Sequence, residues 1–596
     1  MRKSIIKFAL CGGMLAGMLA SCTGDYMDYN TNPYEATKDQ MDRDAYLTRS
    51  ALTGMQGYVI PTDVLLNQFL EALLGGPYGG YLAESNSGFT NRFSNYNQSQ
   101  DWVGKLYKDV IPNVYANYAQ LEAATEDPVY LSVGKVVKVA AILRVTDGYG
   151  PIPYSQLGAN GDLTAPLDTQ KKVYETMLNE LDEAVTALLP HRTETFSSKA
   201  DKVYSGKVEN WIKLANSLKL RMAMRMVYVD STTAQAKAVE AVDSERGGVF
   251  TSNDDNATIQ ATTNPFRVIM YEYNGGDSRI AADITAYMNG YKDPRREKYF
   301  VESTFTTADG VKNGYHGIRL GTEPLPSETA HKYSNMNVEA NTKLVWMTAA
   351  EVAFLRAEGA LRGWNMGGTA ESFYKKGVEL SFSQWGASGA DAYLEDGSSL
   401  PDLYKDPLGT YSYNGSQPTI TIKYDNSAVF ETNLERIITQ KWIAIFPLGN
   451  EAWAEFRRTG YPRLMTAAVN KNKAEVPEGT FPRRLPYPQD EYKDNGTNVQ
   501  NALQDLKPAN DRMSSKVWWD CNPNKKRIMK NKMKNIFIVA SCFAAITCFS
   551  ACDDWTEVEN VNINTPGIEE QDPAAYAKYL QNLVAYKNSD HKVVYA

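Results

Sequence analysis

Apolar residues recur along much of the chain at three- and four-residue intervals, the spacing that gathers them on one face of a helix. Tyr174, Met177, Leu178, Leu181, Val185 and Leu188 form one such stripe, and Trp211, Leu214, Ala215, Leu218 and Met222 repeat it. Val133, Val136, Val137, Ala140 and Ala141 make a third, which the sequence stops at Asp147-Gly148. Gly148 suits the left-handed position after a helix, and Pro151 and Pro153 forbid its continuation. Helix therefore fills residues 107 to 228. A second block opens at Thr348-Ala349-Ala350-Glu351, which reads as a capping box, and continues through Val352, Leu355 and Gly359. Further helices are predicted over Glu371 to Gln384, with Phe373, Val378 and Phe382, and over Leu434 to Ile445. Asn450 is placed as the cap of a short helix holding Trp453 and Phe456. Consecutive helix pairs of this length predict a mainly α fold, a tetratricopeptide-like helix-hairpin scaffold.

Residues 75 to 100, 230 to 340 and 386 to 430 lose this periodicity and gain Gly, Asn, Thr and Tyr. Long irregular loops in a compact body carry an ordering cost that function usually offsets, so the loops are expected to form the ligand face.

Two further segments break the pattern in another way. Arg2, Lys3 and Lys7 precede an apolar run from Phe8 to Ala20 that closes on Leu19-Ala20-Ser21-Cys22. Near the other end, six basic residues from Lys525 to Lys534 precede an apolar run from Ile536 to Phe549, closing on Phe549-Ser550-Ala551-Cys552. Both runs are shorter than the roughly 20 residues a membrane span needs, and both suit the core of a signal peptide. The reading is a lipoprotein signal over residues 1–21, lipidated at Cys22, and a second, internal signal-like segment over 521–552, lipidated at Cys552. Met529 or Met533 could have started a reading frame of its own. Each buried acyl CH2 contributes about 0.8 kcal/mol, so a multi-chain lipid would anchor the protein almost irreversibly.

Composition narrows the chemistry. The 596 residues are 43% hydrophobic and 22% charged, an ordinary globular balance. The formal net charge of -8 becomes -11 on removal of residues 1–21, so nucleic acid is a poor partner. All six cysteines lie in or beside the export segments, leaving none between Cys22 and Cys521 for disulfide or thiolate chemistry. The four histidines, His191, His316, His331 and His591, make no helical zinc pair, and neither a nucleophile elbow nor a phosphate loop is present. No catalytic residue, metal or cofactor is assigned, although 70 acidic residues leave a carboxylate-dependent glycosidase open.

Five segments in order resemble the SusD-like (RagB-like) nutrient-binding lipoproteins of Bacteroidetes over residues 22–520. They are Ala141-Ile-Leu-Arg144 through Tyr149-Gly-Pro-Ile-Pro-Tyr154; Asp201-Lys-Val-Tyr204 with Trp211 to Arg221; Thr348-Ala-Ala-Glu351 through Glu358; Gln440-Lys-Trp442 through Trp453, Arg457, Arg458 and Tyr461-Pro462; and Pro482-Arg483-Arg484-Leu-Pro-Tyr487-Pro488. Trp211, Trp453, Arg221 and Arg457 stand at helical spacing among apolar neighbours, which points to core packing and buried ion pairing, with Glu351 or Glu358 as partners. The resemblance implies a lipid-anchored protein facing outward at the outer membrane. It would lid a SusC-like TonB-dependent transporter and capture oligosaccharide without cleaving it. Flat aromatic faces suit the C–H patches of pyranose rings, and amides and carboxylates suit their hydroxyls. Two loops offer both: Gly75 to Tyr81 with Glu84, Asn86 and Phe89, and Tyr271 to Asp277. The expected glycan contacts are Tyr78, Tyr81, Asn86, Tyr271, Tyr273, Asn274 and Asp277. Among 37 tyrosines, such rings can equally fasten a long connection as a satellite cluster.

Residues 553–596 resemble the start of a lipoprotein with a glycoside hydrolase family 18-like barrel, cut inside its first strand; 44 residues cannot bury a core. By adjacency, that resemblance implies cargo rich in N-acetylglucosamine, such as host N-glycans. A lid with peptide cargo is the remaining alternative.

Overall fold

The computed structural model describes residues 45–157, 164–306 and 314–523; Cys22, Cys552, both export segments and residues 553–596 lie outside the described residues. The chain divides into two units, Met1–Lys525 and Lys526–Ala596, and the described residues all belong to the first.

Helical spacing becomes helix throughout the first block. In chain order, the block begins with α1 (Tyr46–Gln56), α2 (Val64–Asn67), β1 (Leu82–Glu84), α3 (Gln100–Ala124) and α4 (Pro128–Tyr149). It continues with α5 (Gln170–Leu188), α6 (Val208–Met226) and α7 (Ser231–Ala241). Every residue of the Tyr174 and Trp211 stripes is buried, and α3/α4, α5/α6 and α6/α7 pack as successive neighbours. Side-chain caps start these helices: Ser99, Asp127 and Thr169 each accept from a first-turn backbone N–H. α4 runs two residues past the predicted stop. Gly150, at φ +92°, and not the helical Gly148, takes the position after the helix.

The middle of the chain supplies β2 (Ala257–Ile259), α8 (Pro265–Tyr271), β3 (Ser278–Ile280), α9 (Ala282–Gly290), β4 (Phe300–Val301), β5 (Asn335–Met336) and β6 (Leu344–Met347). The strands form three antiparallel two-stranded pairs, β1 with β3, β2 with β6 and β4 with β5. This region is thus less irregular than its composition predicts. Helix α7 is alanine-rich, and both α7 and α9 are short, so they leave little periodicity to read.

The last block holds α10 (Ala349–Leu361), α11 (Ala370–Gln384), α12 (Phe430–Ala444), α13 (Gly449–Thr459) and α14 (Gln489–Ala502). The capping box at α10 is only half made. Thr348 Oγ1 accepts from Glu351 N at 3.1 Å, but the Glu351 carboxylate turns inward to Arg221 at 2.8 and 2.7 Å. Asn450 is likewise no cap: it lies in the first turn of α13, and its Nδ2 donates to Leu70 O at 2.9 Å.

A buried ionic mesh ties α6, α10, α12 and α13 together. Lys441 reaches Glu451 at 3.1 Å and Glu455 at 3.2 Å, Arg225 reaches Glu451 at 2.6 Å, and Arg458 grips Glu358 at 2.7 and 2.6 Å. Burial alone would raise the Glu451 carboxyl, but Arg225, Arg221 and Lys441 hold it down at about 2. The expected pairing of Arg221 with Glu351 is therefore present. Arg457 differs: it stacks on Trp453 at 3.6 Å and donates to the carbonyls of Asp147 and Arg483, with no hydrogen bond to a carboxylate among the described residues. The remaining family-like segments lock onto one another. Arg484 Nε donates to Tyr149 O at 3.0 Å, and the Tyr487 hydroxyl to Pro151 O at 2.7 Å.

Candidate functional site

The pairing of β1 with β3 joins the two loops expected to carry the ligand residues. Leu82 stands opposite Ile280 and Glu84 opposite Ser278, so the chain leaving β1 at Ser85 runs beside the chain entering β3 at Asp277. Asp277 is the joint. Its Oδ1 accepts from Asn86 Nδ2 at 2.7 Å and from Asn274 Nδ2 at 2.9 Å, and its Oδ2 accepts from Gln68 Nε2 at 2.6 Å. Asn274 holds φ +53°, a left-handed conformation that asparagine tolerates better than most side chains.

Three of the seven expected contacts are corrected by their burial. Tyr81 is 0% exposed; its ring stacks on Trp442 at 5.4 Å and its hydroxyl donates to the Trp442 carbonyl. Tyr78 is 6% exposed, wedged between Trp453 at 4.9 Å and Phe93 at 5.6 Å. Asp277 is buried with its oxygens already engaged, a fastener for the loops and not a surface acceptor. Glu84, from the same loop, is also buried, inside β1. Gly79 and Gly80 explain the inward turn: a Cβ on Gly79 would stand 2.7 Å from Gly449 O, and Gly80, at φ +77°, would meet Leu464 at 2.9 Å. Gly79 lets backbone pack against backbone and Gly80 lets it pack against side chains, where the sequence pattern suggests freedom to kink outward.

The other four residues stay at the surface. Tyr273 is 37% exposed, and Asn274 beside it is exposed. Tyr271 is half-buried; Arg267 covers one face at 4.1 Å and the hydroxyl donates to Met336 O. Asn86 is half-buried, with its carbonyl accepting from Gly88 N at 2.8 Å. Phe89 is half-buried too and edge-on to Trp102 at 5.4 Å, and Trp102 in turn meets Phe69 at 5.5 Å. Trp102 and Phe69 lie inside helical pattern, which hides them from a search of loops. His331 braces the far side: its Nε2 lies 3.1 Å from Gly276 O, and burial, with Arg279 nearby, lowers its pKa. The arrangement is an aromatic and amide ridge whose two loops are tied together at Asp277. Among the described residues, no three His, Cys, Asp or Glu gather as a metal site, and no helix is long and apolar enough to cross a membrane.

The same body recurs in known proteins. The family model described as SusD-like, SusD and RagB outer membrane lipoprotein, matches residues 28–520. A SusD homolog from Bacteroides uniformis is 44% identical, with a TM-score of 0.76, over 80% of this chain and 100% of that one. A second, from Bacteroides ovatus, is 42% identical with the same TM-score and coverage. A chitin-binding SusD homolog from Flavobacterium johnsoniae is 34% identical, with a TM-score of 0.74, over 80% of this chain and 99% of that one. No curated protein matches the sequence.

Proposed function

Because the chain belongs to the SusD-like family of outer-membrane lipoproteins, we propose that its body captures oligosaccharide at the ridge of Tyr273, Asn274, Asn86 and Phe89 without cleaving it. It hands the sugar to a SusC-like TonB-dependent transporter. The single observation carrying this reading is the joining of the two loops through Asp277, which sets an exposed ring beside amides on a fixed base. Such a base lowers the ordering cost of a weak, hydroxyl-rich ligand. The chitin-binding relative and the family 18-like tail both favour a cargo containing N-acetylglucosamine, of which host N-glycans are one source. Lipid on Cys22 fastens the body to the outer membrane with this ridge on the cell-surface side.

Residues 23–520 titrated calorimetrically with chitooligosaccharides, an N-glycan panel and a peptide pool test this. Binding of an acetamido sugar with no release of reducing ends is expected. Release of reducing sugar would return the protein to the glycosidases, and binding of peptide alone to the peptide-cargo lids.

A further inference from the structure

Away from the ridge, a polar cleft of about 520 Å³ opens between the loop 203–207, the turn Asn253–Asn256 and the C-terminal end of α11. That volume lies within the range of small-molecule sites. We propose that this cleft is a second ligand site, taking an acidic saccharide through its carboxylate or sulfate ester. It rests on residues other than those of the ridge.

The charge is the first reason. Lys207 and Lys343 both line the cleft and are exposed, and neither ammonium forms an ion pair among the described residues. Asp254 is the single acid in the lining, so the cleft is a cationic spot on a chain whose formal net charge is -8. Neutral polar side chains share the lining, Asn210, Asn253, Asn256, Gln384 and Ser383, with Asn253 Nδ2 donating to Leu380 O at 3.0 Å and Asn256 Nδ2 to Gln384 Oε1 at 3.4 Å. The lining aromatic, Tyr204, is 7% exposed and spends its hydroxyl on Asp255 O at 2.9 Å. Stacking on a sugar face is therefore absent from this cleft, and recognition falls to charge and hydrogen bonds.

Rigidity is the second reason. The buried Asp201 carboxylate accepts from the backbone N–H of Val203 at 2.8 Å, Tyr204 at 3.0 Å and Gly206 at 2.8 Å, and from Trp211 Nε1 at 2.8 Å. This clamp holds Ser205 at φ +55°, a conformation non-glycine residues seldom keep without surrounding support. Gly206, at φ +86°, packs so closely that a Cβ would lie 2.0 Å from Phe196 O. On the opposite wall, the β2–β6 register shifts between Ala257 and Thr258, and Asn256 Oδ1 accepts from Ala349 N at 2.7 Å. A bulge that re-aims side chains and a strained, clamped loop are both features that gather at binding sites.

The test titrates the full chain carrying Tyr273→Ala, so that the ridge is weakened, with digalacturonic acid, with N-acetylglucosamine 6-sulfate and with neutral chitobiose. One acid or both are expected to bind with marked salt dependence, the two arms separating carboxylate from sulfate. Adding Lys207→Gln and Lys343→Gln is expected to weaken the acid about tenfold or more, leaving chitobiose unchanged. Asp254→Asn is expected to tighten the acid by removing the one opposing charge, an outcome that a folding defect cannot mimic. Binding of neither acid, unchanged affinity in the double glutamine variant, or no gain in Asp254→Asn overturns the proposal. The ridge would be untouched by that result, since its own test is the loss of chitobiose affinity on Tyr273→Ala.

Discussion

Tyr78 stands with its ring 4.9 Å from Trp453, while Tyr273 keeps 37% of its surface open, although both belong to tyrosine- and glycine-rich stretches of sequence. Tyr273→Ala should lower glycan affinity about fivefold to tenfold and shift unfolding free energy by less than about 0.5 kcal/mol. Tyr78→Ala should instead lose about 3–5 kcal/mol, as aromatic truncations in a core do, which chemical denaturation would register. Asp283 supplies a pH test. Burial raises its carboxyl to about 7, against hydrogen bonding from Met465 N at 2.7 Å and the charge of Arg319. A folded-state value raised above the unfolded one near 3.8 means that stability is lost as pH rises from about 4 to about 7. Asp283→Asn should therefore unfold at higher denaturant than the parent at pH 8, by roughly 3 kcal/mol, with the gap closing toward pH 4. These distinctions were illegible in the sequence, because whether a loop ring is buried depends on a partner far away in the chain. Tyr81 is sealed by Trp442, 361 residues on.

Elements were far more legible. An apolar stripe states which helix face is buried regardless of what buries it, so the stripes on α4, α5 and α6 could be drawn from spacing alone. Their ends were less so: the α4 pattern pointed to Gly148, but packing carried the helix on to Gly150. The link between the two binding loops was hidden, since β1 and β3 are three residues each and nearly 200 residues apart. Asp277→Ala tests that link. It leaves Gln68, Asn86 and Asn274 without their shared acceptor and should weaken glycan binding about as much as Tyr273→Ala does, with a stability loss of about 2 kcal/mol. Glycan affinity unchanged in Asp277→Ala would mean that the ridge does not need the joint. At the helix stack, Glu451→Gln leaves Arg225 and Lys441 short of a buried carboxylate and should cost about 3–5 kcal/mol. Glu451, held near 2 against an unfolded value of 4.5, contributes fully above pH 4.5. That contribution fades as pH falls toward 2, so the stability gap between parent and variant should narrow over that range.

For the whole molecule, the charged mesh and the locked proline-rich segments build a stiff helical stack, and the ridge is carried on it by short strands. The order of the five family-like segments made the family legible over residues 22–520, against 28–520 for the family model, because segments such as those of Tyr149, Pro151, Arg484 and Tyr487 clasp each other in the core. Which loop atoms face a ligand could not be read in that way, since the same Tyr, Gly and Asn residues serve both packing and surface. Anchorage is tested by the mass of residues 1–520 expressed in a lipoprotein-processing host, where the acyl mass is expected on the parent and absent from Cys22→Ser. The most direct measurement of the central claim is calorimetric titration of residues 23–520, parent and Tyr273→Ala side by side, with a chitooligosaccharide and N-glycan panel. Saturable binding by the parent, weakened about fivefold to tenfold in the variant at equal thermal stability, is the predicted result. Equal affinity in both proteins, or reducing sugar accumulating in the cell, would contradict it.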